Sequence, residues 1–454
     1  MSSGIESDTI VALSTPSAES AIGVVRLSGS LCESLAEACF GKSRIEPRRL
    51  YRGFYKACDG SVLDDAVFAF YKAPASYTGQ DMLEISCHGS PYILRSVISD
   101  LIARGCRGAD AGEFTRRAFL NDKMDLSQAE AVALTIGARS ARALAAAQKQ
   151  LSGELGKRVN AFCERLIDAC ALAEAYIDFP EDDLPPEDTK KILADIEALG
   201  ADFEKLIKTA KYSSLIHGGI NVAIAGAPNA GKSSLLNALL GSRRAIVSEI
   251  AGTTRDFISE KLAVGSYAIN ILDTAGLRET ADKIETMGIE LSMEKILQAD
   301  LRLFAIDSSS SAPRVPQNLA GLLTHKNTIV VINKTDLPQA ENFENFLPQC
   351  PRVKISCLKE SGLDDLRAAI ISMIETHHIS ASADDILVGA RHAKSLESAL
   401  ENLRAAAQKL IKGAPAELLA SDLKSALACV GEIVGKVDNE KILDKIFSTF
   451  CIGK

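Results

Sequence analysis

The eight residues Gly226 to Ser233, G-A-P-N-A-G-K-S, constrain this chain more than any other stretch. They fit GxxxxGK[ST], the pattern of a loop that cradles phosphate groups between a strand and a helix. The flanks agree with that placement. I-N-V-A-I-A (220–225) is a short apolar, β-branched run, expected as a buried parallel strand, and S-L-L-N-A-L-L after the loop has a helical pattern. Glycines let backbone N–H groups converge on phosphate oxygens, and the helix N-terminus adds positive potential. In that arrangement Lys232 reaches the β- and γ-phosphates and Ser233 is a Mg²⁺ ligand. A glycine-rich turn that matches by coincidence is the alternative, and the rest of the chain has to decide.

Four more signals follow in the order of a Ras-like GTPase. I-A-G-T-T-R-D (250–256) supplies Thr254, a candidate second Mg²⁺ ligand when γ-phosphate is present. A-I-N-I-L-D-T-A-G (268–276) is a strand ending in DTAG, where Asp273 holds Mg²⁺ through water and the Gly276 N–H senses the γ-phosphate. I-V-V-I-N-K-T-D (329–336) ends in NKxD, whose Asp carboxylate accepts two hydrogen bonds from guanine but not from adenine. Asn333 and Asp336 therefore specify guanine. K-I-S-C-L (354–358) sits where a backbone N–H meets guanine O6, with Cys357 in place of the usual alanine. Together the motifs nominate Asn229, Ala230, Gly231, Lys232, Ser233 and Ser234, then Ser248 through Thr254 (Ser248, Glu249, Ile250, Ala251, Gly252, Thr253, Thr254). Asp273, Thr274, Ala275 and Gly276, with Asn333, Lys334 and Asp336, complete the GTP-binding set. One position departs from the Ras pattern. Leu277 follows the DTAG glycine, where a glutamine orients the attacking water, so either hydrolysis is slow or a polar neighbour among Arg278, Glu279, Asp282 and Glu285 takes that role.

At 454 residues the chain calls for two or three domains. Its net charge of -8 speaks against broad nucleic-acid binding through a basic surplus. Eleven scattered cysteines with no CxxC pair favour buried, reduced thiols over a zinc site or a disulfide framework. No leader pattern and no membrane-spanning apolar run is visible, so a cytoplasmic protein is expected.

The first 121 residues mix strands (T-I-V-A-L, A-I-G-V-V-R-L-S-G, A-V-F-A-F-Y, M-L-E-I-S-C) with helices after Ser30 and Pro91, an α+β pattern. Arg26 and Glu84 are charged positions inside these strands, either on a solvated face or in a site. From Asn121 the texture turns helical, with Asp125 and Gln128 spaced as a capping box. Leu151, Leu155, Val159, Phe162, Leu166, Cys170, Ala173 and Ile177 recur at helical steps, as a bundle core requires. The acidic, proline-rich stretch 178–188 is expected to be a loop, followed by a helix over 189–211. After His378 helical texture returns, so one helical domain interrupted by a nucleotide domain is the economical plan.

With these motifs quoted, the chain resembles the MnmE family of tRNA-modifying GTPases over essentially its full length. The likeness rests on T-I-V-A, Y-T-G-Q-D with L-E-I-S-C-H-G, G-E-F-T-R-R-A-F-L-N-D-K-M-D-L-S-Q-A-E-A, I-D-F-P-E-D and the terminal F-C-I-G-K. The resemblance implies a folate-binding and dimerising α+β domain (1–121), a discontinuous helical-bundle domain (122–216 and 379–454) and an inserted Ras-like P-loop G domain (217–378). It implies that a K⁺-stimulated GTPase acts with an FAD-dependent MnmG-type partner. The pair adds an aminomethyl or carboxymethylaminomethyl group to carbon 5 of the wobble uridine of certain tRNAs. A homodimer, a heterotetramer with the partner, and 5-formyl-tetrahydrofolate or a related folate as one-carbon donor are implied with it.

By matching position, Arg26, Glu84, Lys123 and Lys454 are folate contacts and Cys451 is a candidate catalytic residue. Asn229, Ser248, Ile250 and Thr253 match a K⁺ site, and Glu285 matches the water-orienting catalytic glutamate that works with Lys232. Three departures stand out: P-S-A-E-S-A-I-G (16–23) lacks the glycine- and arginine-rich form, Gln80 replaces an acidic residue, and Ser248 replaces a threonine. Two rival functions remain at this point: a ribosome-assembly switch that uses GTP for timing, and a folate-binding protein with a vestigial GTPase.

Overall fold

The computed structural model describes residues 8–178, 186–241, 259–272, 296–313, 315, 317–340, 343–379, 385–436 and 440–453. The chain forms two compact units, Met1–Ala133 with Gln150–Ile192 and Ala405–Lys454, and Leu134–Lys149 with Leu193–Arg404.

In the first unit, period-two alternation builds a six-stranded sheet in the order β3-β4-β5-β2-β1-β6. The strands are β1 (Ile10–Leu13), β2 (Ser20–Ser28), β3 (Leu50–Lys56), β4 (Val62–Tyr71), β5 (Met82–Gly89) and β6 (Arg107–Gly108). Its pairs are antiparallel except β1–β6. Val25, Leu27, Phe68 and Ile85 face one side and pack beneath α1 (Cys32–Phe40) and α2 (Pro91–Ala103). Among the described residues the opposite face is covered at one end, by a small cluster of Ile10, Ala12, Met82 and Phe114 bordered by Tyr71 and Tyr77. Beyond that cluster Ile22, Leu50, Phe54 and Val67 remain exposed. The edge strand β3 escapes a sequence reading because Leu50 and Phe54, two of its four outward side chains, are large and apolar, which hides the alternation.

The helices of this unit follow their signals. α3 is Glu113–Leu120, and α4 (Leu126–Gly137) opens on the expected capping box: the Gln128 N–H donates to Asp125 Oδ1 at 2.8 Å and the Asp125 N–H to Gln128 Oε1 at 3.0 Å. α5 (Ala141–Leu151) and α6 (Glu154–Asp178) follow, and Leu155, Val159, Phe162, Leu166, Cys170 and Ala173 of the stripe are buried. α12 (Ala416–Val434) packs along α6, so the downstream helical flank does cover the upstream stripe. One expectation needs correction. The 178–188 stretch is not all loop: Asp178 ends α6, and α7 (Pro186–Gly218) starts inside the stretch and runs seven residues past Lys211. Proline suits a first helical position, and no further proline intervenes before Gly218 and Gly219, the latter at φ 85°, while the lone Gly200 is carried within the helix.

The second unit holds a six-stranded sheet in the order β12-β11-β10-β7-β9-β8. The strands are β7 (Ile220–Gly226), β8 (Ser259–Val264), β9 (Tyr267–Leu272), β10 (Leu301–Asp307), β11 (Thr328–Asn333) and β12 (Arg352–Lys354). All pairs are parallel except β8–β9. Near-continuous apolar runs are what a sheet covered on both faces demands. Val222, Ile224, Leu303 and Ile329 pack with Leu235 and Leu239 of α8 (Lys232–Gly241) and with α10 (Leu363–Met373). Ala223, Phe304, Ile306 and Val330 pack on the other side with Phe343, near the short α9 (Gln317–Ala320). A π-turn, Ile374–His378, continues α10, and α11 (Ala390–Ile411) and α13 (Glu440–Phe447) complete the described helices. All eleven cysteines are free, seven of them buried. Among the described residues no helix is long and apolar enough to cross a membrane.

Candidate functional site

Ligands of open α/β sheets bind outside the carboxyl ends of the strands, and of three adjacent strands here the outer two end on motif residues. β7 ends at Gly226, β10 at Asp307 and β11 at Asn333. The P-loop turn demands left-handed backbone at Asn229 (φ 60°) and Gly231 (φ 86°), and Gly226 stands at φ 142°. At Gly226 a side chain would collide with the Ala305 carbonyl on β10. Lys232 folds back on the loop, its Nζ donating to the Gly226 carbonyl at 3.1 Å and the Ala227 carbonyl at 2.9 Å. Burial holds its ammonium below the usual lysine range, so phosphate charge beside it would be strongly favoured. Ser233 and Ser234 open α8 exposed to solvent.

The base-recognition end is already tied together. Asn333, 2 % exposed, donates from Nδ2 to the Ala230 carbonyl at 3.0 Å and accepts at Oδ1 from the Cys357 N–H at 3.3 Å. One side chain thus joins the phosphate loop to the K-I-S-C-L loop. Lys334 adopts φ 63° and its Nζ pairs with Asp307 Oδ2 at 2.6 Å, while Ser308 Oγ donates to the Lys334 carbonyl at 2.8 Å. Burial opposes ionisation of Asp307, but the Lys334 ammonium and Ser309 overcome it and hold its carboxyl at about 2. The Ser356 hydroxyl bonds Asp336 and lowers its carboxyl, leaving it ionised for a guanine edge. Asp307 and the pairing role of Ser356 are absent from the motif reading. The signal for Asp307 is its place, an acid that ends the strand L-R-L-F-A-I-D beside NKxD. Of the remaining nominees, Ser248, Glu249, Ile250, Ala251, Gly252, Thr253, Thr254, Asp273, Thr274, Ala275, Gly276 and Glu285 lie outside the described residues, as does Leu277.

A second cluster sits on the partly covered face of the N-terminal sheet. Strand register sets Arg26 opposite Glu84, and the guanidinium donates from Nε at 2.9 Å and Nη2 at 2.7 Å to Glu84 Oε1. The Tyr71 hydroxyl donates to Glu84 Oε2 at 3.4 Å, and the Arg26 guanidinium lies 5.8 Å from the Tyr77 ring centre and 6.0 Å from that of Phe114. Burial, then Glu84, raises the Tyr71 hydroxyl, so it stays a donor. Lys123 reaches the Pro74 carbonyl at 3.0 Å, alongside Gly79 at φ 79°, where a Cβ would crowd Asn121 and Lys123.

Gln80 accepts from Ser28 at 2.9 Å and from Arg117 at 3.1 Å. Asp8 and Glu113 already supply carboxylates to Arg117, so a neutral amide suffices where an acid is usual. The 16–22 part of the altered stretch is solvent-exposed. The C-terminal tail docks on this same unit through an Ala111–Ile452 bridge, with Ser14 Oγ donating to the Gly453 carbonyl at 3.2 Å. A cavity of about 390 Å³ lies there, lined by Ala12, Thr15, Ala109 and Ile452 among others. Cys451 is exposed, and Lys454 is outside the described residues.

Family models match the MnmE helical domain over residues 126–451 and the N-terminus of the GTP-binding protein TrmE over residues 9–123. The chain is 48 % identical over 448 residues to the tRNA modification GTPase MnmE of Opitutus terrae, covering 98 % of this chain and 99 % of that one. It is 42 % identical over 449 residues to the protein of the same name from Aquifex aeolicus, covering 98 % and 100 %. A solved structure of Aquifex aeolicus Era with GDP and aluminium fluoride is 31 % identical over 40 % of this chain and 66 % of its own, with a TM-score of 0.28.

Proposed function

The chain belongs to the MnmE family of tRNA-modification GTPases, and from that premise we propose a K⁺-stimulated, folate-dependent cycle carried out with an FAD-dependent partner. The protein hydrolyses GTP in the service of tRNA modification. Matches over the whole chain set aside both a ribosome-assembly switch and a vestigial GTPase. The product we propose is an aminomethyl or carboxymethylaminomethyl group on carbon 5 of the wobble uridine of certain tRNAs. The plan is three domains: residues 1–121, residues 122–216 with 379–454, and an inserted G domain at 217–378. We place the protein in the cytoplasm, as a homodimer that forms a heterotetramer with an MnmG-type protein. The exposed Ile22, Leu50, Phe54 and Val67 on one sheet face suit a second copy.

One observation carries the nucleotide reading: Asn333 joins the P-loop carbonyl of Ala230 to the N–H of Cys357, so phosphate and base subsites form one hydrogen-bonded frame. In hydrolysis, water attacks the γ-phosphorus in line as the bond to the β,γ-bridging oxygen breaks, giving GDP and phosphate. Lys232 turns from its two carbonyls to the phosphates, and Asp336 and Asn333 hold the base. Glu285 orients the water in the place that Leu277 cannot fill. The hydroxyls of Ser233 and Thr254 suit Mg²⁺, a hard cation that takes oxygen ligands. Asn229 is left-handed and exposed at the loop tip, suited to a K⁺ site completed by Ser248, Ile250 and Thr253. K⁺ there would supply the positive charge that an arginine finger supplies elsewhere.

The Arg26–Glu84 pair, with Tyr77 and Phe114 beside it, offers charge and ring faces fitted to a folate. Lys123 and Lys454 complete that set, and bound 5-formyl-tetrahydrofolate or a related folate would supply the one-carbon unit. Cys451 is assigned a catalytic part in the modification. The test compares GTP turnover of wild type and Glu285→Ala in K⁺ and in Na⁺. The expected result is a loss on the order of 100-fold or more in the variant with GTP binding retained, and K⁺ dependence in the wild type. Equal rates in both salts and no loss in the variant overturn this mechanism.

A further inference from the structure

The β8–β9 hairpin occupies a particular place in the chain. β8 follows the 250–256 motif, and β9 runs directly into Asp273 of DTAG. Both γ-phosphate-sensing motifs therefore join the hairpin at its open end. Six residues per strand place its closed end roughly 20 Å away. There Val264 pairs with Tyr267 across a two-residue turn in which Gly265 has φ 59°. Among the described residues β8 is the edge strand of the sheet, with β9 as its one strand partner.

The turn is gripped by residues from outside the nucleotide motifs. Ser266 offers its carbonyl to the Arg142 N–H, in the first turn of α5, at 3.2 Å. The Arg142 guanidinium bonds the Tyr267 hydroxyl and lies 5.3 Å from its ring centre. That hydroxyl donates in turn to Glu375 Oε1 of the π-turn at 3.1 Å. Tyr267 and Ala143 are each 1 % exposed and share a core with Ile269 and Ile271 of β9, with Ala138 and Ala146 packed against it. The tip of the α4–α5 helix pair thus belongs to the nucleotide-binding unit, in agreement with the compact unit that includes Leu134–Lys149. At the other end of the pair, Gln150 donates to the Ser127 carbonyl at 2.8 Å and Gln128 to the Leu151 carbonyl at 3.0 Å.

We propose that the β8–β9 hairpin is the output lever of the GTPase, with Arg142, Tyr267 and Glu375 as the positioning residues that pass nucleotide state to α4–α5. The proposal rests on GTP hydrolysis as the driving reaction and names the route by which it reaches the modification chemistry. A displacement at the open end is passed to the closed end, where Val264 and Tyr267 are buried and Ser266 and Tyr267 are hydrogen-bonded to their neighbours. Tyr267 is the shared member: its hydroxyl meets both Arg142 and Glu375.

The test is amide hydrogen exchange on the full-length protein with GDP, and with GDP plus aluminium fluoride in K⁺. In the wild type, protection at residues 136–146 and 264–268 is expected to differ between the two states. In Tyr267→Phe, which keeps the ring in the core, and in Arg142→Ala, the difference at 136–146 disappears. GTP turnover of both variants stays within about threefold of wild type, while wobble-uridine modification in cells carrying only the variant falls at least tenfold. Identical protection of 136–146 in both states of the wild type overturns the proposal. So does a nucleotide-dependent difference that survives in both variants, or full modification by both. A wild type without GTP turnover would instead count against the GTPase cycle itself.

Discussion

The GTP cluster and the Arg26 cluster are built by different means. In the first, Gly226, Asn229, Gly231, Asn333 and Lys334 lie on turns at strand ends, and backbone groups make many of the contacts. Backbone geometry of that kind demands particular residue types at fixed spacing, glycine above all. In the second, two charged side chains from β2 and β5 meet because of strand register, 58 residues apart, between aromatic rings from two further segments. Nothing local in V-V-R-L-S or L-E-I-S announces that meeting. A site made of turns leaves a motif; a site made of register leaves a charge on a strand.

The comparison breaks most easily at Asn333. Asn333→Ala removes one buried and one partly buried hydrogen bond and strands the Ala230 carbonyl and the Cys357 N–H. A cost of about 2 to 3 kcal/mol follows, or roughly 30- to 150-fold in GDP affinity, read by equilibrium binding of a fluorescent nucleotide. Folate binding should not change. An affinity loss below about threefold would mean that the frame of the GTP site does not depend on this side chain.

Arg26→Ala sharpens the other side of the contrast. It removes both charge-assisted bonds to Glu84 and leaves that carboxylate with the Tyr71 hydroxyl. Binding of 5-formyl-tetrahydrofolate, measured by calorimetry, should weaken about tenfold or more, with GTP turnover unaltered. The pair is partly exposed, so a stability loss of no more than about 1 kcal/mol is expected. Unchanged folate affinity would remove Arg26 from the site and return it to the bland role of a solvated strand charge.

The same contrast accounts for what was legible in the sequence. The strand–loop–helix at 220–240, the strand ending in NKxD and the Asp125–Gln128 capping box were readable because each is set by neighbours within a few residues. The folate role proposed for Arg26 and Glu84 rests on family likeness, because residue chemistry alone leaves them as charges on strands. β3 was missed because an edge strand with exposed Leu50 and Phe54 breaks the alternation rule. The helical start at Pro186 was hidden by an acidic, proline-rich composition that favours loops without forbidding a first helical turn. Asp307 went unremarked because its partner, Lys334, lies 27 residues on, on the neighbouring strand end.

Asp307 offers the smallest effect and the finest test, since it is a register contact inside the site that is otherwise made of turns. Its carboxyl is held at about 2, below the unfolded carboxylate value. A depressed value of this kind contributes stability above the unfolded pKa of about 4 and loses it as pH falls towards 2. The Lys334–Asp307 pair is therefore intact across the neutral range, and its contribution to GDP affinity should be flat from about pH 8 to pH 5. Asp307→Asn keeps the shape and removes the charge. Lys334 is about one third exposed, so solvent screening reduces the value of the pair to roughly 1 kcal/mol. GDP should then bind about three- to tenfold more weakly, with kcat for GTP nearly unchanged at saturation. A fall in kcat with affinity intact would show that Asp307 acts on the chemical step, and a site made of turns would then depend on register after all.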